Sequence, residues 1–334
     1  MAIRVGVIGA GSWGTTVAAL TTQNAPTILW AREPALATQI NDEHRNGTYL
    51  EPYDLPESLE ATSDLEEVAS QADVVVMGVP SQHFREVLKA AAGFVRPWVP
   101  VVSLAKGLER DSLKRMSEVV LDVLPGHPVA VLTGPNLAKE ILAGQPAASV
   151  VAVGDQVVAG ELQRLFTTPR LRVYTNPDVV GCEVSGVVKN VIAIAAGMAE
   201  GMGFGDNTRA TIITRGLAEM SRLGIALGAD ALTFSGLAGT GDLIATCSSS
   251  QSRNNSVGRE LGKGRPIGEV IAEMRQVAEG VKSSSSVLAL ARRKGVDMPI
   301  TEQVVAVCHE GSTATGALTA LMRRTMKPEI YGIS

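Results

Sequence analysis

The sequence predicts an α/β protein in which a doubly wound parallel sheet is followed by an all-helical domain. Short β-rich runs alternate with helical patterns from residue 1 to about 178, an order typical of parallel strands joined by crossover helices. The strand signals stop after 176–178, and the remaining chain shows helical patterns broken by loops with Gly and Ser. We therefore expect two domains, 1–178 and 179–334, which also suits a chain of 334 residues.

The predicted strands are short runs rich in β-branched residues. They are 3–8, 27–30, 73–79, 100–103, 128–132, 148–153 and 171–174. Runs such as Val74-Val75-Val76 indicate strands that are buried on both faces of the sheet. Helical patterns lie between the strands, for example over 82–92 and 111–124.

Composition and charge exclude several classes of protein. Hydrophobic residues make up 45% and charged residues 19% of the chain, which is the balance of a globular protein and not of a disordered one. The net charge is -4 and the sequence has no basic stripe, so we expect no nucleic-acid partner. The three cysteines are widely spaced, which indicates reduced thiols and neither a disulfide framework nor a metal site.

The apolar segments are too short for a signal peptide or a membrane anchor. The N-terminal run 1–9 leads directly into a turn, and we expect a cytoplasmic protein without a leader. The most apolar later stretch, 187–199, is interrupted by Lys189 and Asn190 and falls short of the ~20 residues that span a bilayer. It predicts a buried helix, without stable insertion into a membrane.

A glycine-rich motif follows the first predicted strand. Gly9-Ala10-Gly11-Ser12-Trp13-Gly14 matches G-x-G-x-x-G and opens a helical pattern that leads to the second strand. In such a βαβ unit Gly9 permits the turn, Gly11 lets a pyrophosphate approach the backbone, and Gly14 lets the helix pack on the strand. The amides at the helix N-terminus can then bind the anion. The motif predicts a dinucleotide-binding domain; a plain strand-to-helix turn is the alternative.

The end of the second strand bears on the choice of dinucleotide. An NAD site usually has Asp or Glu there to bind the ribose hydroxyl, whereas this chain has Arg32 followed by Glu33. A guanidinium suits the 2′-phosphate of NADP, and Glu33 can accept a hydrogen bond from a hydroxyl. The pattern favours NADP and leaves NAD open, and a solvated surface position for Arg32 is the alternative.

Two lysines are candidates for chemistry. Lys106 follows a predicted strand, at the carboxyl edge where open α/β sheets bind ligands, although an exposed loop lysine would look the same. Lys189 lies among Val and Ile residues at 187–188 and 191–192. Because a buried ammonium is unfavourable without a partner, we expect Lys189 to be paired or to line a cleft.

A second glycine-rich segment and a polar cluster follow in the helical half. Gly236, Gly239 and Gly241 directly precede Asp242 and suggest backbone packed closely against a neighbour. Ser-Arg-Asn at 252–254 combines a hydroxyl, a guanidinium and an amide, a set suited to binding a phosphate. A capped helix start would explain the same residues without a ligand.

Taken in order, these segments resemble the bacterial NAD(P)-dependent glycerol-3-phosphate dehydrogenase family, and the resemblance extends over nearly the whole chain. The matching segments are Gly-Ala-Gly-Ser-Trp-Gly at 9–14, Ser-Leu-Ala-Lys-Gly-Leu-Glu at 103–109, Gly-Pro-Asn-Leu-Ala-Lys-Glu at 134–140, Val-Lys-Asn at 188–190, Gly-Leu-Ala-Gly-Thr-Gly-Asp-Leu at 236–243 and Gln-Ser-Arg-Asn at 251–254. One departure is Asn136, where the family often has Ser.

The resemblance implies a Rossmann-type domain followed by an all-helical domain, assembled as a homodimer. It implies an oxidoreductase that reversibly reduces dihydroxyacetone phosphate to sn-glycerol 3-phosphate with NADPH or NADH, feeding phospholipid synthesis. Hydride would pass to the ketone carbon, while a cation and a proton donor would stabilise the charge that grows on the ketone oxygen.

The resemblance also implies roles for individual residues. Lys189 would be the proton donor and acceptor, Lys106 would add positive field, and Asp242 would orient Lys189. Besides Gly9, Gly11 and Gly14 of the glycine-rich motif, the implied cofactor contacts are Ser12, Trp13, Arg32, Lys106, Ala138, Arg253, Val277 and Glu279. The implied substrate contacts are Lys106, Gly134, Asn136, Lys189, Asp242, Ser252, Arg253 and Asn254. Neither set includes a metal ligand.

Two alternatives share parts of this pattern. A 3-hydroxyacid or 6-phosphogluconate dehydrogenase would also pair a Rossmann domain with a helical domain that carries a lysine. A nucleotide-sensing module without catalysis would require the set of Lys106, Lys189, Asp242 and Arg253 to be coincidental. Substrate profiling distinguishes these alternatives.

Overall fold

The computed structural model describes residues 3–274, 278–326 and 328–329, and the chain divides into two compact units. Unit 1 comprises 1–106 and 114–179, and unit 2 comprises 107–113 and 180–334. The short segment 107–113 therefore packs with unit 2, although sequence order places it between two strands of unit 1.

Unit 1 is built on one eight-stranded sheet. The strands are β1 (Val5–Ile8), β2 (Thr27–Trp30), β3 (Glu60–Thr62), β4 (Val74–Met77), β5 (Val101–Ser103), β6 (Val129–Thr133), β7 (Ala147–Ala152) and β8 (Leu171–Asn176). Their order in the sheet is β3-β2-β1-β4-β5-β6-β7-β8. From β1 the chain continues to β2 and β3 at one edge of the sheet, and then returns to β4 on the opposite side of β1. This order confirms the doubly wound fold predicted from the sequence. In such folds ligands bind in the crevice where the strand order reverses, here at the carboxyl ends of β1 and β4.

Two features of the sheet differ from the prediction. Strand β3 gave no sequence signal because only Ala61 of its three residues is buried. Strand β7 runs antiparallel to β6, whereas the other neighbouring pairs are parallel. The helix between these two strands has five residues and is only about 8 Å long, too short to carry the chain back along β6. The chain therefore returns beside β6 in the opposite direction.

Seven helices cover the two faces of this sheet. They are α1 (Ser12–Thr21), α2 (Pro34–Glu43), α3 (Leu65–Gln71), α4 (Ser81–Ala92), α5 (Met116–Val123), α6 (Ala138–Leu142) and α7 (Gln156–Phe166). Val74 and Val76 belong to the hydrophobic core on one face, and Val75 and Met77 to the core on the other. This alternation confirms that the apolar strand is buried on both sides.

One predicted helix is shorter than expected. The pattern over 111–124 forms a helix only from Met116. Leu113 has φ +60°, a left-handed conformation that a helix interior does not tolerate. The Glu118 side chain accepts a hydrogen bond from the Arg115 amide at 2.8 Å, and this capping box fixes the helix start.

In the part of unit 2 that is described, the regular elements are helical. The α-helices are α8 (Val179–Gly201), α9 (Asp206–Ala226), α10 (Asp242–Ser248), α11 (Arg253–Gly262), α12 (Ile267–Glu273), α13 (Glu279–Arg293), α14 (Pro299–His309) and α15 (Ala314–Met322). A 3₁₀ turn (Ala231–Ser235) and a π-helical turn (Leu237–Gly241) precede α10.

Helix α8 is the centre of unit 2. It has the length and hydropathy of a membrane-spanning helix, but 89% of its most apolar window is buried inside the protein, as expected for a core helix. Its valines, isoleucines and alanines form the largest part of the unit 2 core. The buried helix predicted over 187–199 is therefore present.

Helices α8 and α11 pack with their backbones in contact. A Cβ on Gly197 would collide with the carbonyl oxygen of Asn255, and a Cβ on Gly258 would collide with that of Ile194. Gly201 and Gly262 repeat the same contact one turn further along. Since no side chain separates the helices, the N-terminus of α11 is held close to the middle of α8.

We expect the substitution Gly258→Ala to destabilise unit 2 by about 1–3 kcal/mol, because the added methyl must push α8 and α11 apart. The control is Gly268→Ala in α12, where a Cβ would meet no atom within 4 Å and the higher helix propensity of Ala should leave stability equal or raised by up to about 1 kcal/mol. Urea unfolding measures both. Equal stability of the two variants would contradict a tight α8–α11 contact.

Candidate active site

The glycine-rich motif forms the junction between β1 and α1. Gly9 has φ +118°, and a Cβ there would lie 2.8 Å from the backbone of Gly78, which directly follows β4. A Cβ on Gly14 would collide with the carbonyl oxygen of Gly9. These glycines bring the ends of β1 and β4 against the start of α1. Gly78 was not predicted as a site residue, because the expected strand over 73–79 includes it, whereas the observed strand ends at Met77.

Three observations in this junction fit a bound dinucleotide. A Cβ on Gly11 would meet no atom within 4 Å, so the backbone there faces open space. The N-cap residue of α1 is Gly11, which has no side chain to cap the first amides, and such amides bind phosphate groups. The indole Nε1 of Trp13 is buried and has no hydrogen-bond partner among the described residues. The residues predicted to hold the pyrophosphate are therefore in a suitable arrangement.

The other predicted cofactor residues lie at the ends of elements. Arg32 follows β2, is 81% exposed, and pairs through Nε with Glu33 at 3.1 Å. Ala138 is the first residue of α6, and Glu279 is the first residue of α13 in unit 2. Val277 lies outside the described residues.

Three predicted substrate residues lie together in unit 1, at the carboxyl ends of β5 and β6. The Lys106 Nζ donates a hydrogen bond to the carbonyl oxygen of Gly134 at 3.0 Å. The Asn136 Oδ1 accepts one from the Ser149 hydroxyl at 2.6 Å, while its Nδ2 is buried without a partner among the described residues. Ser149 was not predicted, and it orients the Asn136 amide.

In unit 2, Lys189 lies at the centre of a buried polar cluster. Its Nζ donates to Asp242 Oδ1 at 2.6 Å and to Thr246 Oγ1 at 2.8 Å. Lys189 is 5% and Asp242 1% exposed. The hydroxyl of Thr246 lies 2.6 Å from the Asp242 carbonyl oxygen. Lys189 is therefore paired, as the sequence suggested, and it presents a fixed cationic nitrogen.

Thr246 was missed by sequence reasoning. It lies one turn after Asp242 on α10, so both side chains project from the same face of the helix, but its partner Lys189 is 57 residues away in the sequence. Burial raises the pKa of the neighbouring Cys247 thiol to about 12, so this thiol stays neutral beside the ion pair.

The three glycines before Asp242 were expected to pack closely against a neighbouring backbone, and only one of them does so. A Cβ on Gly239 would collide with the backbone of Phe234, but the nearest atoms lie 3.4 Å from a Cβ on Gly236 and 3.6 Å from one on Gly241. Only Gly239 therefore requires the absence of a side chain. The segment forms a π-helical turn that leads directly into α10, and such turns are frequent at functional sites.

The Ser-Arg-Asn cluster is the start of α11. Ser252 is the N-cap, and its Oγ accepts from the Asn255 amide at 3.3 Å. Arg253 is exposed; partial desolvation lowers the pKa of its guanidinium, and the charge of Glu279 opposes this effect. The capped helix start and the cluster of polar groups are thus both present, and the two interpretations of these residues are compatible.

Asn254 connects three helices. Its Nδ2 donates to Asn190 Oδ1 at 3.0 Å, and its Oδ1 accepts from the Gly280 amide at 2.9 Å. A Cβ on Gly280 would lie 2.5 Å from the Asn190 carbonyl oxygen. Asn190, Asn254 and Gly280 are the neighbours in sequence of Lys189, Arg253 and Glu279, so this network fixes the backbone beside three predicted site residues.

Comparisons with known proteins give the family of this chain. The sequence model described as the N-terminus of NAD-dependent glycerol-3-phosphate dehydrogenase matches residues 4–159, and the model of the C-terminus matches residues 178–319. The chain belongs to the NAD-dependent glycerol-3-phosphate dehydrogenase family. The family suggested by the sequence motifs is confirmed.

Relatives match over almost their whole length. The chain is 56% identical over 331 residues to glycerol-3-phosphate dehydrogenase [NAD(P)+] 2 of Sphingopyxis alaskensis, covering 99% of both chains. It is 52% identical to glycerol-3-phosphate dehydrogenase [NAD(P)+] of Mycobacterium avium, covering 98% of this chain and 97% of that one. The crystal structure of glycerol-3-phosphate dehydrogenase from Coxiella burnetii superposes with a TM-score of 0.92 at 36% identity, covering 97% of this chain and 99% of that one.

We expect the Lys189–Asp242 pair to contribute little to stability by itself. Asp242→Leu should lower the free energy of unfolding by about 3–5 kcal/mol, because it leaves the ammonium buried without its carboxylate, and adding Lys189→Met should recover most of that loss. Urea unfolding of the two variants measures this. A double variant as unstable as the single one would show that the pair is needed to hold α8 and α10 together.

Proposed function

We propose that the chain catalyses the reversible reduction of dihydroxyacetone phosphate to sn-glycerol 3-phosphate with NADPH or NADH. Residues 1–178 are the dinucleotide-binding domain, and residues 179–334 are the substrate-binding and catalytic domain. Family membership over both halves of the chain supports the reaction. The observation that carries the proposal is the buried Lys189–Asp242–Thr246 cluster.

The cluster suits proton transfer to a ketone oxygen. When bound, the reduced nicotinamide supplies the hydride for the ketone carbon. Lys189 donates a proton to the ketone oxygen during reduction and accepts it from the hydroxyl during oxidation. Asp242 and Thr246 hold the Nζ atom in place through bonds at 2.6 and 2.8 Å, so the ammonium has a fixed position.

Lys106 acts as a second cation in the proposed site. It adds positive potential where negative charge develops on the substrate oxygen. Its bond to Gly134 fixes the position of the ammonium, and we assign Gly134 and Asn136 to the same substrate surface. The buried and unpartnered Nδ2 of Asn136 provides a donor for a substrate oxygen.

The substrate phosphate binds at the start of α11. Arg253 provides a planar guanidinium with several donors, Ser252 provides a hydroxyl, and the first amides of the helix favour an anion. Both functional atoms of the Asn254 amide already have partners in the protein, so Asn254 contributes its backbone amide and its remaining Nδ2 hydrogen.

The dinucleotide contacts lie mainly in unit 1. Gly9, Gly11 and Gly14 shape the pyrophosphate site, and the Ser12 and Trp13 side chains flank it. Arg32 binds a 2′-phosphate when NADP is the cofactor, and Glu33 can bind a ribose hydroxyl when NAD is. We assign further contacts to the positions Lys106, Ala138, Arg253, Val277 and Glu279.

The cellular setting is proposed from the family resemblance and from the composition and charge of the chain. The chain works as a homodimer in the cytoplasm, without insertion into a membrane and without a nucleic-acid partner. Its product, sn-glycerol 3-phosphate, is used in phospholipid synthesis.

The test of the proposed reaction is oxidation of NADPH and NADH on addition of a panel of small ketones and hydroxy acids. We expect turnover of dihydroxyacetone phosphate, and a loss of about 10³-fold or more in kcat for Lys189→Met, which removes the proton donor and its charge. Lys89→Met changes an exposed lysine on α4 and should have no effect. Turnover of a hydroxy acid without turnover of dihydroxyacetone phosphate would favour a hydroxyacid dehydrogenase instead.

We expect Arg253→Ala to lower kcat/KM for dihydroxyacetone phosphate by about 10- to 100-fold, since it removes charge-assisted hydrogen bonds to the phosphate. Arg253→Lys should cause a smaller loss because it keeps the charge without the fork. Dihydroxyacetone, which lacks the phosphate, should be reduced equally by all three proteins. Arg259→Lys on the same helix is the control. With the reduced cofactor at saturating concentration, equal losses with both ketones would mean that Arg253 does not bind the substrate phosphate.

A further inference from the structure

Asn46 lies beside the glycine-rich motif and is 1% exposed. Its Nδ2 donates to the Ala10 carbonyl oxygen and to Thr15 Oγ1, both at 2.9 Å. Its Oδ1 accepts from the Tyr49 amide at 3.1 Å. Both amide hydrogens and the carbonyl oxygen of Asn46 are therefore bonded to protein atoms.

The motif itself contains little that could hold its shape. Gly9 and Gly11 have no side chains, so the N-cap position of α1, Gly11, makes no side-chain hydrogen bond to the first turn. The backbone between them is anchored at one end by the Gly9 amide, which donates to the Trp30 carbonyl oxygen at 3.1 Å. Asn46 holds the middle of this loop at Ala10 and the first turn of α1 at Thr15.

The segment that carries Asn46 is itself closed. The Leu55 amide donates to the His44 carbonyl oxygen at 2.7 Å, and Arg45 forms an isolated bridge and an ion pair with Asp54. A second contact to the motif comes from Ser12, whose hydroxyl donates to the Tyr49 carbonyl oxygen at 3.3 Å. The loop 44–55 is thus closed by its own hydrogen bonds and contacts the glycine-rich motif through Asn46 and Tyr49.

We propose that Asn46 is a positioning residue for dinucleotide binding, which holds the glycine-rich loop in the conformation that receives the pyrophosphate. It contacts the loop and not the cofactor. A loop that is already ordered does not lose conformational entropy when the ligand binds, so the contact raises affinity. This inference rests on the proposed function of the motif as a cofactor site.

The experiment compares Asn46→Ala with the matched variant Asn41→Ala. Asn41 lies in the same unit and also makes two amide bonds to backbone, to the Ala61 amide and carbonyl at 2.8 Å each, but these lie at β3, away from the motif. Both substitutions are neutral, so neither adds a charge that could repel the phosphates. NADPH dissociation constants are measured by fluorescence titration, and kcat and KM by steady-state kinetics below the melting temperature of each variant.

We expect Asn46→Ala to raise the dissociation constant and the KM for NADPH by about 10-fold or more, as expected for two lost hydrogen bonds, while kcat at saturating NADPH is preserved. Asn41→Ala should leave the dissociation constant unchanged, even if it lowers the melting temperature. Thr15→Val removes the hydroxyl that accepts from Asn46 Nδ2 and leaves the bonds of Asn46 to Ala10 and Tyr49 in place. It should therefore raise the dissociation constant for NADPH by a smaller factor. If Asn46→Ala does not fold, Thr15→Val replaces it in the test.

An unchanged NADPH affinity in Asn46→Ala would overturn the inference. If Asn46→Ala does not fold, an unchanged affinity in Thr15→Val would overturn it. So would an equal loss of affinity in Asn41→Ala, which would show only general weakening of unit 1. The proposed function fails separately, if the unsubstituted protein binds neither NADPH nor NADH.

Discussion

The ammonium of Lys189 is buried within the most apolar helix of the chain, and much of unit 2 can be understood from the need to satisfy it. An ion removed from water without a partner is unfavourable by several kcal/mol. Asp242 supplies the opposite charge and Thr246 a second acceptor, and both come from α10. The chain must therefore hold α10 within hydrogen-bond distance of the middle of α8. The same geometry leaves a cation with a fixed direction inside a region of low polarity, where its effect on a developing negative charge is greatest.

Close approach of backbones is how both units bring their functional groups together. In unit 2, glycines at the α8–α11 contact remove the side chains that would separate the helices, so the start of α11 lies beside Asn190. In unit 1, Gly9, Gly14 and Gly78 do the same where β1, β4 and α1 meet. In each case the contact orients the N-terminus of a helix, where the first amides favour an anion. Glycine is required at these positions because of packing, and its flexibility then has to be restrained by neighbouring side chains.

The sequence predicts well the elements that follow from local residue patterns, and predicts poorly the contacts between residues that are distant in the sequence. The buried strands were found because β-branched runs show directly in sequence, whereas the exposed strand β3 and the direction of β7 do not. Lys189 was recognised because a charge in an apolar run is conspicuous. Its partner Thr246 is 57 residues away, and Asn46 lies 36 residues from Ala10; both are ordinary polar residues in their own segments. Leu113, with its left-handed backbone, ended a helix that periodicity alone would have extended.

Uncharged amides restrain the backbone beside the proposed site residues in both units. Asn46 holds the glycine-rich loop, and the Asn190–Asn254 pair holds the starts of α11 and α13. An amide can donate and accept at once, so one side chain can join two backbone segments. It also adds no net charge. In unit 1, a charged group in the place of Asn46 would change the affinity of the glycine-rich loop for a phosphate; in unit 2, an added charge near Lys189 would change the field around its ammonium. In unit 2, neutral amides therefore hold the backbone at the starts of α11 and α13, while Lys189, Asp242 and Arg253 supply charge.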